Sequence, residues 1–305
     1  MPRNAFARLL TAACLCGFLI AAPARCPGAD TYATPEEAAK DADFAVQGEY
    51  RGENRGIQIV ALGDGKFSIV EFEGGLPGGG GNLASRKVTE GDTAKVKETV
   101  KGLDRVDRRS PSLGAKPPEG AIVLFDGTKE SLDKNWKPGA KMTDDGLLTQ
   151  GCTSKEGFQS YTFHVEFRLP YMPKARGQAR GNSGYYIQGR YECQMLDSFG
   201  LEGLDNECGG IYSISKPDVN MCFPPLSWQS YDVDYTAAQF DDSGKKTKNS
   251  HVVVKHNGVV IHDRDLTKGT PGGPINGEIP GPGPVYFQDH GNPVRYRNIW
   301  IVPKS

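Results

Sequence analysis

The chain has 305 residues and a mass of 33.0 kDa, enough for one large domain or two modest ones and too much for a disulfide miniprotein. Its 39 Gly and 21 Pro leave little room for long helices and favour short strands joined by turns. With 36 basic against 37 acidic residues the net charge is −1, which excludes the basic excess that a nucleic-acid binder needs for phosphate contacts.

Arg3 and Arg8 precede an uncharged apolar run over 9–22, and small residues follow at Ala22-Pro23-Ala24 and at Pro27-Gly28-Ala29. That is the pattern of a secretory signal peptide, assigned to residues 1–29. The run is about 14 residues, short of the roughly 20 that cross a bilayer, and none comparable follows. No stable membrane insertion of the remaining chain is expected, and the location is secreted or periplasmic. Removing 1–29 takes away three Arg and no acid, so the charge becomes −4. It also removes Cys14, Cys16 and Cys26 and leaves Cys152, Cys193, Cys208 and Cys222. An oxidising compartment permits disulfides. Cys208 and Cys222 bracket a 13-residue loop and are the expected pair, worth on the order of 3 kcal/mol in the chain-entropy model. Cys193, inside a strand pattern, reads as a buried free thiol.

Residues 30–110 read as a small β-rich N-terminal domain. Thr34-Pro35-Glu36-Glu37 is a helix start with Thr as cap, Pro at the first position and acids in the first turn. Strands are expected over 48–50, 56–62 and 66–72, with Gly63-Asp64-Gly65 as the hairpin turn between the last two. The Gly-rich stretch 74–81 reads as a flexible loop, since no Gly-Lys-Ser/Thr follows that would make it a phosphate cradle. Residues 111–118, polar and Pro-rich, are the expected linker to a second domain at 119–305.

From residue 121 onward the pattern is β. Phe163, Val165, Phe167 and Leu169 alternate with His164, Glu166 and Arg168, and Tyr231, Val233 and Tyr235 alternate with Asp232 and Asp234. Half-buried strands have this period. Asn257-Gly258 between two Val-rich runs signals a type I′ hairpin. The economical architecture for such a series of short strands is an all-β antiparallel sandwich.

Two clusters could carry chemistry. In 190–198, period two puts Glu192 and Gln194 on one face and Tyr191, Cys193 and Met195 on the other. The apolar set faces the core, so Glu192 and Gln194 face solvent or a cleft. Asp197 joins them only if a bulge shifts the register, and Glu166 on another strand is expected to project into the same face. The second cluster, Gln288-Asp289-His290 followed by Arg295 and Arg297, gathers an acid, an imidazole and two guanidinia at one sheet edge. No His-x-x-x-His or Cys-x-x-Cys spacing marks a zinc site, and no Gly-x-Ser-x-Gly elbow is present.

Seven motifs occur in one order: VLFDGT at 123–128, FHVEFRLP at 163–170, NSGYY at 182–186, GRYECQMLDS at 189–198, CGGIY at 208–212, WQSYD at 228–232 and QDHGNPVRYRNIW at 288–300. Together they resemble the DUF1080 family, the 3-keto-disaccharide hydrolase domain, over about residues 119–305. The resemblance extends to exported planctomycete members, which carry an N-terminal extension. It implies a concanavalin A-like jelly roll whose concave face holds an oligosaccharide or glycoside.

The chemistry the resemblance implies begins with a 3-keto group, which makes the C2 hydrogen acidic, because the carbanion is an enolate. A base removes that hydrogen, the C1 substituent leaves, and water adds back. Such a mechanism asks for a base beside C2, donors or a cation at the C3 oxygen, and an acid near the leaving group. Glu192 or His290 is the expected base, with Asp197 as a further catalytic candidate. Arg190 or Arg297 with Gln194 would bind the oxyanion, and Gln288, Glu166, Tyr186 and Trp228 would bind sugar. A divalent cation polarising the ketone would take Glu166, Glu192 and Asp197 as hard oxygen ligands. Two other readings stay open. Glu192-x-Gln194-x-x-Asp197 is similar to the Glu-x-Asp-x-x-Glu of laminarinase-type hydrolases, although the retaining mechanism wants two carboxylates about 5 to 5.5 Å apart. A non-catalytic carbohydrate-binding module would use Trp228, Tyr185, Tyr186 and Tyr212 as stacking platforms.

Overall fold

The computed structural model describes residues 30–304. The segment read as a signal peptide, with Cys14, Cys16 and Cys26, lies outside the described residues.

Thr34 caps a one-turn helix, Pro35–Ala38, accepting from the Glu37 amide while the Glu37 carboxylate accepts from the backbone N–H of Thr34. Beyond it a five-stranded antiparallel sheet runs in the order Lys87–Asp92, Lys66–Glu73, Arg55–Gly63, Gly48–Gly52, Asp104–Val106. Gly63, Asp64 and Gly65 all have positive φ, as their hairpin turn requires. The outer strand Lys87–Asp92 and the helix Thr93–Thr99 are additions that periodicity did not reveal. Nearly every residue of that strand is exposed, and the helix buries only Val96.

The Gly-rich stretch is a packed element rather than a loose one. Leu76 is buried and pairs back to Gly79 and Gly80, and Pro77 O accepts from Arg108. A Cβ on Gly56 would meet Gly75 O at 2.2 Å, so the absence of a side chain there lets one backbone lie on another.

Residues 111–118 contain no helix or strand. The rest is an antiparallel sandwich of jelly-roll type. One sheet has four strands in the order Tyr191–Met195, Ser183–Ile187, Gly283–Phe287, Cys152–Phe158. The other runs Val259–Leu266, Ser250–His256, Trp228–Thr236, Tyr161–Arg168, Arg295–Pro303, Ile122–Phe125, with Leu148–Thr149 also paired to Arg295–Pro303. Asn257 and Gly258 both have positive φ in the hairpin between the first two.

Between the sheets lies one aromatic-rich core. Phe163 stacks on Tyr185 at 4.4 Å, and Phe287 stacks on Tyr296 at 4.2 Å. Tyr191, Cys193 and Met195 enter this core from one sheet, and Phe163, Val165 and Phe167 from the other. Their alternating neighbours, Glu192 and Gln194 on one strand and His164 and Glu166 on the other, therefore point out of opposite sides of the sandwich.

Cys208 and Cys222 are free thiols, which corrects the disulfide expectation. Each finds a weak hydrogen-bond partner instead: Cys208 Sγ lies 3.4 Å from the Tyr231 hydroxyl, and Cys222 Sγ reaches Leu196 O and Phe223 O, both at 3.6 Å. Buried this way, the two behave as small apolar side chains with a weak donor. Cys193 and Cys152 are buried free thiols as well.

Candidate active site

Glu192 and Gln194 project from the outer face of the four-stranded sheet, yet they are only 3% and 1% exposed. Three segments cover them. Tyr212 N donates to Glu192 O, and Gly209 N donates to Gln194 O, which lays residues 209–212 along the free edge of the strand. Thr270 Oγ1 accepts from Glu192 N at 2.8 Å while Thr270 N donates to Arg190 O, bringing residues 270–273 over the face. The short helix Gly177–Ala179 supplies Gln178, whose Oε1 accepts from Gln194 Nε2 at 3.1 Å.

Among the described residues the Glu192 carboxyl meets one hydrogen-bonding group, the Tyr186 hydroxyl at 2.9 Å. Burial penalises its anion and pushes its pKa up to about 7, with the Tyr186 contact pulling the other way. Burial and the neighbouring Glu192 likewise push the Tyr186 phenol up. Tyr186 OH also lies 2.8 Å from Pro271 O and accepts from Gln288 Nε2 at 3.2 Å. A phenol has one hydrogen, and a carbonyl can only accept. When Tyr186 donates to Pro271, the contact with Glu192 requires a protonated carboxyl donating to the phenol oxygen. When Glu192 ionises, it takes the phenol hydrogen for itself. The arrangement is that of a carboxyl titrating near neutral pH, the range in which general acid–base catalysis is most effective, beside a phenol that stays protonated.

The carboxyl owes its place to Gly184, on the neighbouring strand. A Cβ there would come within 2.1 Å of Glu192 Oε1 and 2.8 Å of its Cδ. Gly184→Ala is expected to lower turnover at least tenfold, with an unchanged far-ultraviolet circular dichroism spectrum. Wild-type turnover in this variant would mean that the carboxyl position is immaterial.

An amide row flanks the carboxyl. Asn182 Nδ2 donates to Gln178 O at 2.8 Å and to its Oε1 at 3.1 Å, and Asn182 N donates to Asn292 Oδ1 at 2.7 Å. Asn182 Oδ1 is buried with no hydrogen-bond partner. A buried acceptor left unmatched is costly, and a ligand hydroxyl would satisfy it. Tyr286 lies beside Tyr186, ring centroids 5.3 Å apart, and lends an aromatic surface to the same face.

Gln288 reaches this group of residues through its bond to Tyr186. His290 stands two residues further on, exposed in the turn past the same strand, with no side-chain hydrogen bond among the described residues; Asp289 caps that turn by accepting from Gly291 N. The other candidates lie elsewhere. Asp197 leaves the strand with its carboxylate held by Arg180 Nε at 2.6 Å. Arg190 spends its guanidinium on the carbonyls of Gln188, Ile279 and Gly281, and so ties down the covering loop instead of facing Glu192. Tyr185 is in the core.

Glu166, Arg297 and Trp228 are together, but on the outer face of the larger sheet, across the sandwich from Glu192. Glu166, 1% exposed, accepts from Gly114 N at 2.6 Å, Arg297 Nε at 2.7 Å and Asn298 Nδ2 at 2.9 Å. Arg297 lies over the Trp228 ring at 3.9 Å. Burial would raise the Glu166 carboxyl, but the nearby His164 and hydrogen bonds from Asn298, Gly114 and Arg297 outweigh it and bring it down to about 2. Burial would also lower His164; its contacts with Asp232 and Glu166 prevail, and its pKa is raised. Ser112 Oγ donates to Asp232, so the segment after residue 110 is buttoned onto this charged face. A cavity of about 580 Å³ opens at the margin of the same face, beside Arg297, Asn298, Asp126 and Asp145. The cation set imagined from Glu166, Glu192 and Asp197 is thus spread over three places, and among the described residues no group of three or more His, Cys, Asp or Glu is gathered as a metal site.

Gln178, Asn182, Gly184, Thr270 and Pro271 were not among the expected site residues. Asn182 and Gly184 stand in the NSGYY motif, which was the available signal; Gln178 and the 270–271 pair have none in the sequence.

Residues 120–302 match the family model described as a 3-keto-alpha-glucoside-1,2-lyase-like domain. No curated protein matches the chain. Among solved structures, a Parabacteroides distasonis ATCC 8503 protein provisionally named a glycosyl hydrolase is 31% identical with a TM-score of 0.55, the match covering 61% of this chain and 85% of that one. A second protein of the same organism and provisional name is 19% identical with a TM-score of 0.43, covering 61% and 95%.

Proposed function

The chain belongs to the 3-keto-alpha-glucoside-1,2-lyase-like family, which acts on carbohydrate, and from that premise we propose that it is an exported enzyme cleaving 3-keto-glycosides, with Glu192 as general base. The carrying observation is the buried Glu192 carboxyl, raised to about 7 and held by a hydrogen bond to the Tyr186 phenol. Glu192 takes the C2 hydrogen of the ring as a proton, the C2–H electron pair forms the C1=C2 bond, and the C1–O bond breaks with its electrons leaving on the departing group. Water adding across C1=C2 returns a 3-keto sugar, so the sum is hydrolysis. An elimination needs one well-placed base and no oxocarbenium-stabilising carboxylate pair.

The laminarinase-like reading needs a second carboxylate near Glu192, and its candidate, Asp197, is bound to Arg180. Of the four platforms of the binding-module reading, Tyr185 is in the core and Trp228 is on the far face, which leaves Tyr186 and Tyr212 near Glu192. The amide row at Gln178, Asn182 and Gln194 supplies partners for ring hydroxyls, with Asn182 Oδ1 free to accept one. Export follows from the character of residues 1–29, and residues 30–110 and 119–305 are read as two domains joined at 111–118.

The test offers the purified protein a 3-keto-glucoside and the unoxidised glucoside, each with and without chelator. Turnover confined to the keto sugar is the expected result. Turnover of both would revive the two-carboxylate mechanism, and binding without turnover would leave a carbohydrate-binding module.

A further inference from the structure

Residues 30–110 lie outside the matched domain, and the relatives compared cover only 61% of the chain. We propose that the N-terminal sheet holds the amide row of the active site in place, a role that rests on the site assignment above. The contact is specific. Strand Arg55–Gly63 loses its regular pairing between Ala61 and Gly63, where the ladder skips Leu62. Two successive carbonyls at this bulge turn to the neighbouring domain: Leu62 O accepts from Arg176 at 2.8 Å, and Ala61 O accepts from Arg180 at 3.2 Å.

Arg176 and Arg180 stand on either side of the short helix Gly177–Ala179, which carries Gln178. Gln178 in turn anchors Gln194 and Asn182, the flanks of Glu192. Arg180 also grips Asp197, so the same residue ties the end of the Glu192 strand to the bulge. Arg176 clasps its own loop through the carbonyls of Pro173 and Ala175, keeping its guanidinium aimed at Leu62.

Neighbouring contacts make this a seat rather than a touch. Val60 belongs to the sandwich core, and a Cβ on Gly200 would strike it at 2.4 Å. Arg86 donates to Gly200 O at 2.8 Å, and Lys174 pairs with Asp64 at 2.9 Å. On the other side Tyr171 and Leu226 leave the sandwich to join the apolar cluster of the N-terminal sheet. A helix of one turn has too few internal hydrogen bonds to hold a side chain by itself. Pinned at both ends to one bulge, it presents Gln178 in a single position, which is what substrate orientation requires.

Arg176 is exposed, so it can be cut back without loss of the fold. In the full chain, Arg176→Ala, which removes the tie to Leu62 O together with the two bonds that aim it, is expected to raise KM for a 3-keto-glucoside about tenfold with kcat within twofold and an unchanged melting temperature. Amide hydrogen exchange over 177–182 should quicken at least tenfold. Arg176→Lys, which keeps a donor for Leu62 O, should recover most of the KM. In a Gln178→Ala background, Arg176→Ala should add less than twofold, because both act through one side chain. Additive effects, or exchange at 177–182 that does not change, would overturn the proposal. Exchange needs no substrate, so a protein inert towards keto sugars would defeat the functional reading while exchange alone decided this one.

Discussion

Glu192→Gln is expected to abolish turnover of a 3-keto-glucoside by about two to four decades in kcat, the range attributed to a general base, while making the protein more stable at alkaline pH. The two effects share a cause. Burial disfavours the Glu192 anion, so its carboxyl ionises near 7 when folded and near 4.5, its ordinary value, when unfolded. A raised acid adds stability that is complete below about 4.5 and is lost as pH rises through 7. The loss is on the order of 3 kcal/mol, from 1.36 kcal/mol for each unit between those two values. Gln has the shape of the carboxylic acid and no charge to bury, so the variant keeps that stability at pH 8. Melting curves at pH 4 and pH 8 should coincide with wild type at the first and exceed it at the second. In the wild type, kcat/KM should climb with pH and level off above about 7, since the base acts unprotonated. An active Glu192→Gln variant, or one less stable at pH 8, would show that this carboxyl is neither the base nor a buried liability.

The companion expectation concerns Glu166, another carboxylate of the same motif set. Glu166→Ala should destabilise the protein by about 1 to 3 kcal/mol at pH 7, the cost of leaving buried donors without their acceptor, because Arg297 keeps 40% of its side chain in solvent and can be rehydrated. It strips the acceptor from Gly114 N, Arg297 and Asn298 at once. Turnover per folded molecule should stay within twofold of wild type, because the side chain points away from Glu192 through the thickness of the core. The sign of its pH dependence is opposite to that of Glu192. A carboxyl lowered to about 2 in the folded state contributes stability that is whole above about 4.5 and vanishes as pH falls through 2. Urea unfolding at pH 7 and pH 3 would measure both. Unaltered stability at pH 7, or lost activity in a well-folded variant, would contradict the placement of Glu166 on the far face.

These two carboxylates mark how far the sequence could be read. Alternation along a strand says which side chains share a face of that strand, and it separated Glu192 and Gln194 from Tyr191, Cys193 and Met195. It carries no information on which side of a sandwich that face lies, so Glu166, Arg297 and Trp228 had the right period and the wrong side. Asn257-Gly258 was legible because a type I′ turn requires positive φ at both residues, a local demand. Lys87–Asp92 was not, because an exposed outer strand needs no apolar alternation. Gln178 is a polar residue on one turn of helix, and its importance arises from Gln194 and Asn182 some distance along the chain. Loop spacing put Cys208 near Cys222, but bonding depends on mutual sulfur geometry that spacing leaves free. The Gly-rich stretch read as loose because composition cannot distinguish a residue that lacks a side chain for freedom from one that lacks it for closeness, as at Gly56 and Gly75.

Tyr186 has a single hydrogen and two oxygens asking for it, one on Glu192 and one on Pro271. Each proton that arrives at the carboxyl therefore returns the phenol to the 270–273 segment, and each that departs calls it away. Both Thr270 contacts with the Glu192 strand hold the 270–273 segment in either state, and the Tyr186–Pro271 bond is a further tie for which the ionised carboxylate competes.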